Sequence, residues 1–313
     1  MVQTRDHSLV HDIRAQLPRR SWVREPHLRV LQSGWLGIAG VGLAAVLVII
    51  LAYFVALPAA GEQLALQMAK PDEIQMGESM MESFATQLEI DTVRSRHLQA
   101  LADELKLPGD YPLKVYVAKS PQINAFALPG GHVVVFSALL DSLNNADELV
   151  ALLGHEYGHV QRRHSLRMLG RALSTLIVGG LVFGDVNGIS STMIEGSDFL
   201  RRMHYSRELE TEADEFSLQM LEANGLSPQA PIRLFAHFRK LEAQNSLEHS
   251  SDANSVGKLA TTLLSSHPLT DDRIAHFREL VKGIPDQATR PTPALDAAWQ
   301  VLRPDLASPL NRK

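Results

Sequence analysis

The longest apolar run in the sequence extends from Gly34 to Ala60 and contains no charged residue. Its length is sufficient to cross a bilayer with some tilt, whereas a buried core helix is normally shorter. A cleavable signal peptide is the competing interpretation, but the run is longer than a usual signal-peptide core and follows a long leading segment. Trp35 and Tyr53 lie near its ends, where amphipathic rings are favoured. The pattern predicts one uncleaved transmembrane helix at residues 34–60.

Beyond this run, most apolar positions recur with helical spacing, and only a few short segments alternate. Residues 73–106 are predicted to be helical, and Leu113–Ala118 alternates as a strand does. Ile123–Leu128 and His132–Phe136 predict a hairpin around Pro129-Gly130-Gly131. That turn either has no further role, or one strand is a sheet edge to which an extended peptide adds. The predicted fold class is mainly α with a small β-sheet, an α+β domain.

One helical pattern runs from Asn145 to about His164 and includes the sequence HEYGH at residues 155–159. Asn145 is a favourable N-cap, and Glu148 three residues later completes a capping-box pattern. The apolar stripe that would bury this helix consists of Leu149, Val150, Leu152 and Leu153. A buried, capped helix would hold the polar residues of HEYGH rigidly.

The spacing within HEYGH is typical of a metal site. Because side chains four residues apart share one helix face, His155 and His159 can offer two imidazoles to one ion. Glu156 is placed to reach a metal-bound water, as a general base must. His164 follows His159 by five residues, whereas the extended motif with a third histidine needs six, where Ser165 stands. The third ligand must therefore lie elsewhere.

The amino-acid composition limits which side chains can bind a metal and which partners the chain can have. The chain has no cysteine, which excludes disulfides and thiolate ligands, so a metal must be held by histidine and carboxylate. Two histidines suit zinc, and a catalytic zinc site requires a third protein ligand and a position for water. The net charge of −5, with no basic run beyond the first 30 residues, argues against nucleic acid as a partner.

A second helical pattern, which starts near Tyr205 and ends at Asn224-Gly225, is acidic at its beginning. Glu210 and Asp214 lie four residues apart on one face of it. One of them can bind the metal while the other orients a histidine by accepting its second N–H. On its own, an acidic helix of this kind is usually a solvated face.

Four motifs in order carry a family resemblance: Asn124–Gly131 (NAFALPGG), HEYGH followed by Arg163-His164, YSRxLExEAD at 205–214, and Ser266-His267-Pro268. Over roughly residues 61–283 the chain resembles the gluzincin metallopeptidases, a family that includes HtpX, the CAAX prenyl proteases and the mitochondrial inner-membrane Oma protease. The resemblance implies a zincin-type metallopeptidase domain that binds one Zn²⁺ per chain.

The resemblance also assigns roles to individual residues. It implies that Glu210 is the third zinc ligand, which spacing alone does not separate from Glu208 or Glu212. It makes Asp214 the residue that orients a ligand imidazole. It places His267 near the cleft, where the imidazole stabilises an oxyanion, fills the open zinc position in a latent state, or is structural.

Charge asymmetry predicts the orientation of the anchor. Six arginines precede it, whereas residues 61–80 contain Lys70 as the single base, so the N-terminus is expected in the cytoplasm. In a bacterium, the enzyme would be a single-pass protein of the inner membrane with its catalytic domain on the periplasmic side. The predicted organisation is a basic cytoplasmic tail (residues 1–33), the transmembrane helix (34–60), a zinc metallopeptidase domain (61–284) and a proline-rich C-terminal tail (285–313).

An uncharged segment at residues 172–184 is too short to span a bilayer. It could be part of the core, a membrane-facing insert or a mobile loop, because glycines recur within and after it.

The predicted function is a membrane-anchored zinc metalloendopeptidase that cleaves polypeptides, in quality control of misfolded membrane or envelope proteins. Two alternatives are a metal-bound periplasmic chaperone or assembly factor with little proteolysis, and a mere membrane anchor for another protein. Glu156 argues against both alternatives, since neither binding nor tethering needs a base beside the zinc.

Overall fold

The computed structural model describes residues 34–183, 205–248, 267, 271–284 and 293–302. The chain divides into two units, residues 1–56 and 57–313. In the first unit, helix α1 (Gly34–Leu51) continues into a π-helical turn, Ala52–Ala56. Its large apolar side chains are exposed, as at Trp35, which is 77% exposed. A surface of this kind indicates an apolar environment.

Within the described residues, one helical run is long and apolar enough to cross a membrane, Trp35–Leu66. None of its most apolar stretch is buried, which excludes a core helix. A signal sequence near an N-terminus meets the same criteria of length and composition.

The second unit combines helices with a three-stranded sheet. Its described elements are α2 (Leu57–Leu66), α3 (Lys70–Gln87), α4 (Thr92–Asp103), β1 (Lys114–Ala118), β2 (Ala125–Leu128), β3 (His132–Phe136), α5 (Ser137–Ser142), α6 (Ala146–Gln161), α7 (His164–Phe183), α8 (Arg207–Asn224), α9 (Ala230–Glu248), α10 (Asp271–Leu280) and α11 (Pro293–Leu302). The predicted fold class, mainly α with a small sheet, is confirmed.

The sheet has the order β1-β3-β2, with β1 parallel and β2 antiparallel to the central β3. The predicted hairpin is therefore confirmed, and its turn is the short helical segment Pro129–Gly131. Gly131 has φ of +108°, and a Cβ there would lie 2.1 Å from the carbonyl oxygen of Pro112. The turn thus requires glycine at this position. In the strand order, β2 lies at one edge of the sheet.

The helical prediction for residues 73–106 is confirmed for most of the segment, although a break divides it into two helices, α3 and α4. Between them, Ile90 forms an isolated bridge with Ala118 of β1. Asp91 then caps α4 by accepting from the backbone N–H groups of Val93 and Arg94. The break thus combines a local cap, for which aspartate is a favoured residue, with a bridge to a distant strand.

Helices α6 and α8 pack closely because α6 carries two glycines on the facing side. A Cβ at Gly154 would lie 3.0 Å from the Cα of Ser217, and one at Gly158 would lie 2.9 Å from the Cα of Ala213. The hydroxyl of Ser217 donates to the carbonyl oxygen of Ala151 across the same contact. Larger residues would push the helices apart and separate the side chains of HEYGH from Glu210.

The main core lies between the sheet, α4, α6 and α8, and it includes α11. Leu295, Trp299 and Leu302 are buried in it, although the sequence places them in a tail beginning at residue 285. The uncharged segment at 172–184 belongs to helix α7 as far as Phe183, so a loop there is wrong. The described side chains of this stretch are mainly half-buried, which does not support a core position.

Candidate metal centre and active site

Helix α6 presents the HEYGH residues from a fully buried position. The Asn145 side chain accepts from the N–H of Glu148 at 2.9 Å, as the capping pattern predicts. The carboxylate of Glu148 accepts from the N–H of Asn144, one residue before the cap, rather than from that of Asn145. Residues 148–160 are all buried. The turn that carries the candidate ligands is thus buried along its whole length.

Three predicted ligands converge on one point. The Nε2 atoms of His155 and His159 lie 3.2 Å apart. The Glu210 oxygens lie 3.5 Å from the first of these nitrogens and 3.6 Å from the second. Ligand atoms about 2.0–2.1 Å from a tetrahedral zinc are separated by about 3.3 Å. The donor types and separations therefore fit zinc.

His267 lies in the same group, which forms a set of four buried donors within 4.8 Å of one another. Its Nδ1 is 2.9 Å from Glu210 Oε1 and 3.3 Å from His155 Nε2. Its Nε2 is 3.7 Å from a carboxylate oxygen of Glu156. The imidazole thus lies on the side of the cluster where Glu156 is found.

Asp214 meets the predicted orienting role geometrically. Its Oδ1 is 2.9 Å from Nδ1 of His155. Arg273 donates two hydrogen bonds to the same carboxylate, from Nε at 2.7 Å and from Nη2 at 2.6 Å. Its Nη1 lies 2.7 Å from Glu210 Oε2. One buried guanidinium therefore fixes two carboxylates of the site.

Sequence reasoning missed Arg273, which belongs to helix α10, six residues after His267. An arginine in a short acidic helix is ordinarily solvated, so the local pattern gave no reason to bury it. The available signal was its proximity in sequence to the histidine motif.

The carboxylate of Glu156 is fully buried beside the donors. Within the residues that the structure describes, neither of its oxygens has a hydrogen-bond partner. Burial raises the pKa of this carboxyl group, with the nearby His267 and His155 opposing the rise. Buried polar groups are nearly always paired, and a catalytic role or a bound ion or water is among the reasons that one is left without a protein partner.

Burial and hydrogen bonding shift the pKa values of the side chains in the cluster in different directions. Burial disfavours a charged imidazole, but hydrogen bonds to Asp214 and Glu210 outweigh it and raise the pKa of His155 to about 10. Burial beside that cationic ring holds the pKa of His159 well below its usual value. His267 and His155 overcome burial and hold the pKa of Glu210 well below its usual value.

The charge balance of the site depends on the state of its histidines. Among the described residues, the buried carboxylates of Glu156, Glu210 and Asp214 lie beside one buried guanidinium, that of Arg273. With these four groups ionised and the imidazoles neutral, as metal binding requires, an excess of two negative charges remains. Unpaired buried charge is costly, and a divalent cation would neutralise this excess.

An apolar pocket borders the candidate catalytic side chains. Its lining includes His155 and Glu156 of the site. The apolar part of the lining includes Leu152, Leu234, Phe235, Phe238 and Phe277. The walls suit an apolar side chain placed next to the reacting groups.

Comparison with known proteins agrees with this geometry. A sequence profile of Peptidase family M48 matches residues 90–281. The chain is 33% identical over 169 residues to the mitochondrial metalloendopeptidase OMA1 of Saccharomyces cerevisiae, covering 52% of this chain and 46% of that protein. Two proteins of Escherichia coli are also similar. Metalloprotease YcaL is 27% identical over 54% of this chain and 63% of its own length. Metalloprotease LoiP is 28% identical over 64% of this chain and 75% of its own length.

The chain thus spans about half the length of the yeast relative and less than two thirds of YcaL. The matched region contains HEYGH, Glu210, Asp214 and the His267–Arg273 segment. Metallopeptidases of this family use zinc, and the four-donor group can hold a metal ion. The resemblance indicated by the motifs is confirmed, and the chain belongs to Peptidase family M48.

Proposed function

We propose that the chain is a membrane-anchored zinc metalloendopeptidase. The observation that carries the proposal is the unpaired, buried carboxylate of Glu156 beside the converging donors of His155, His159 and Glu210. These three residues would hold the metal, and His155 would be oriented by Asp214. Zinc bound there would polarise the scissile carbonyl and acidify a water molecule.

The residues of the chain supply the remaining functions. Glu156 accepts the proton of the attacking water and transfers it to the leaving amine. Arg273 keeps Asp214 and Glu210 in place, so the ligands need not reorganise during the reaction. The apolar pocket would bind a side chain of the substrate and thereby align the peptide bond. We propose extended or unfolded polypeptides as the substrates, in quality control of misfolded membrane or envelope proteins.

The test is cleavage of an unfolded polypeptide by the purified chain, with Glu156→Gln as the matched variant. A metal-bound chaperone or assembly factor, the alternative, would bind the same polypeptides without needing a base. Cleavage that depends on Glu156 supports the peptidase. Binding without cleavage supports the alternative.

For His267 we propose occupancy of the fourth zinc position in a latent state. Its Nδ1 already lies 3.3 Å or less from the donor atoms of His155 and Glu210, a separation typical of atoms that share one metal. An oxyanion-stabilising imidazole would instead point at a substrate oxygen. The fourth position is the one that water needs, so the imidazole must leave before the reaction.

Replacing His267 separates these two roles. If the imidazole is a latent-state ligand, His267→Ala should raise the rate of peptide cleavage with zinc retained. If it stabilises the oxyanion, the same change should lower kcat by roughly 10²-fold or more. Initial rates and zinc content measured on the same preparation decide between them, and an unchanged rate would leave His267 a structural residue.

We further propose that residues 34–60 anchor the enzyme in the inner membrane of a bacterial cell, with residues 61–284 on the periplasmic side. The support is the excess of arginine ahead of the apolar run. Residues 1–33 would be the cytoplasmic tail and residues 285–313 the C-terminal segment.

A reporter fused after Lys313 should therefore be active only outside the cytoplasm. Protease added to intact spheroplasts should digest the part of the chain after Ala60 and leave a cytoplasmic reporter intact. Protection of that part in intact spheroplasts, with digestion only after lysis, would reverse the proposed orientation.

A further inference from the structure

His164, the first residue of α7, is fully buried and faces the cluster of donors from outside. Its Nδ1 lies 2.9 Å from Nδ1 of His159, the ring nitrogen that does not face the other donors. Its Nε2 lies 3.2 Å from Oε2 of Glu212, whose side chain is 40% exposed. A series of hydrogen bonds thus connects His159, a proposed metal ligand, to a surface carboxylate.

Backbone geometry places His164 in this position. The preceding residue, Arg163, has φ of +56°, which ends α6 and turns the chain directly into α7. A non-glycine residue in this conformation is held by its surroundings. Here the Arg163 side chain donates to Glu73 at 2.7 Å and to the carbonyl oxygens of Leu66 and Met68.

The donor and acceptor roles along the chain follow from chemistry. A carboxylate only accepts, so Nε2 of His164 must donate its hydrogen to Glu212. A neutral imidazole has one N–H, which leaves Nδ1 of His164 as an acceptor for the Nδ1–H of His159. The Nε2 of His159 then carries its lone pair, and that atom faces His155 and Glu210.

The opposite arrangement would disable the ligand. If Nδ1 of His164 were a donor, Nδ1 of His159 would have to accept, and the N–H of His159 would point at the other donors. A metal needs the lone pair at that atom. Tyr205, whose ring stacks on His159 with centroids 4.0 Å apart, fixes the plane of the ring but not its tautomer.

We propose that His164 and Glu212 are positioning residues that fix the metal-binding tautomer of His159, an inference that rests on the proposed zinc site. The tautomer of His155 is fixed in the same way by Asp214, whose carboxylate contacts Nδ1 of His155 directly. His159 has no carboxylate within reach of Nδ1 among the described residues, and the buried imidazole of His164 connects it to one at the surface.

The experiment measures the zinc dissociation constant of the full chain in detergent, by competition with a chromogenic chelator. Loss of an outer partner of a ligand typically weakens metal affinity by roughly 10–100-fold. We expect His164→Leu to fall in this range and Glu212→Leu toward its lower end. His164→Asn, whose side-chain oxygen can accept from His159, should restore most of the affinity.

Glu208→Leu is the matched control, because Glu208 is an exposed glutamate one turn earlier on α8 and should leave the zinc affinity unchanged. Thermal unfolding of the metal-free variants reports the fold separately. Since Glu212 is partly exposed, its variant remains informative even if His164→Leu does not fold.

Wild-type zinc affinity in both leucine variants, with the fold intact, would overturn the proposal that His164 and Glu212 fix the tautomer of His159. So would equal losses in His164→Leu and His164→Asn, which would show that His164 acts only by packing. Absence of zinc binding in the unaltered chain would instead refute the proposed function, and with it the proposed role of His164 and Glu212.

Discussion

Glu156→Gln is expected to lower peptide cleavage by roughly 10⁴-fold, the upper end of the range for loss of a general base. The amide keeps the shape of the carboxylate but cannot accept the proton of the attacking water. Neither carboxylate oxygen is committed to a hydrogen bond within the described residues, so the change should break no structural contact there. Initial rates on an unfolded polypeptide measure the effect.

The same preparation of Glu156→Gln provides the controls. Zinc content should equal that of the wild type, because Glu156 lies beside the donor group without belonging to it. Substrate should co-purify with the variant at least as well as with the wild type, since binding needs the cleft and not the base. Cleavage at the wild-type rate would show that another residue is the base.

Replacing His155, His159 or Glu210 by alanine is expected to reduce bound zinc from about one ion per chain to background, because each is one of the three permanent protein ligands of the proposed site. Each change removes one of the converging donors. Metal analysis after dialysis against a weak chelator is the measurement, and activity should fall in parallel.

Glu208→Ala is the control for Glu210→Ala, since it removes a carboxylate of the same helix that is exposed to solvent. It should retain full zinc occupancy. Full occupancy in Glu210→Ala would contradict the assignment of the third ligand and would direct attention to His267 as a permanent ligand in its place.

The local features of this site were predictable because they depend on residues close in sequence. The i, i+4 spacing of His155 and His159 and the cap at Asn145 both follow from helix geometry alone. The hairpin around Gly131 follows from glycine chemistry in the same way. These predictions needed no knowledge of distant partners.

The features that escaped prediction all depend on long-range pairing. Arg273 is 59 residues beyond Asp214, and no periodicity links the two. His164 lies one residue short of the third-histidine position of the extended motif, whereas in the structure it contacts the proposed ligand His159. The core position of α11 likewise depends on packing that a proline-rich flank conceals. Local rules thus located the candidate ligands on α6, whereas the residues that support them depend on tertiary packing.

The measurement that tests the central claim most directly is cleavage of an unfolded polypeptide by the purified full chain before zinc removal, after it, and after zinc is restored. If the chain is a zinc metalloendopeptidase, cleavage disappears with the metal and returns with it in the wild type, and it stays absent throughout in Glu156→Gln. Cleavage that persists in the metal-free chain, or polypeptide binding without any cleavage by the zinc-loaded wild type, would contradict the account.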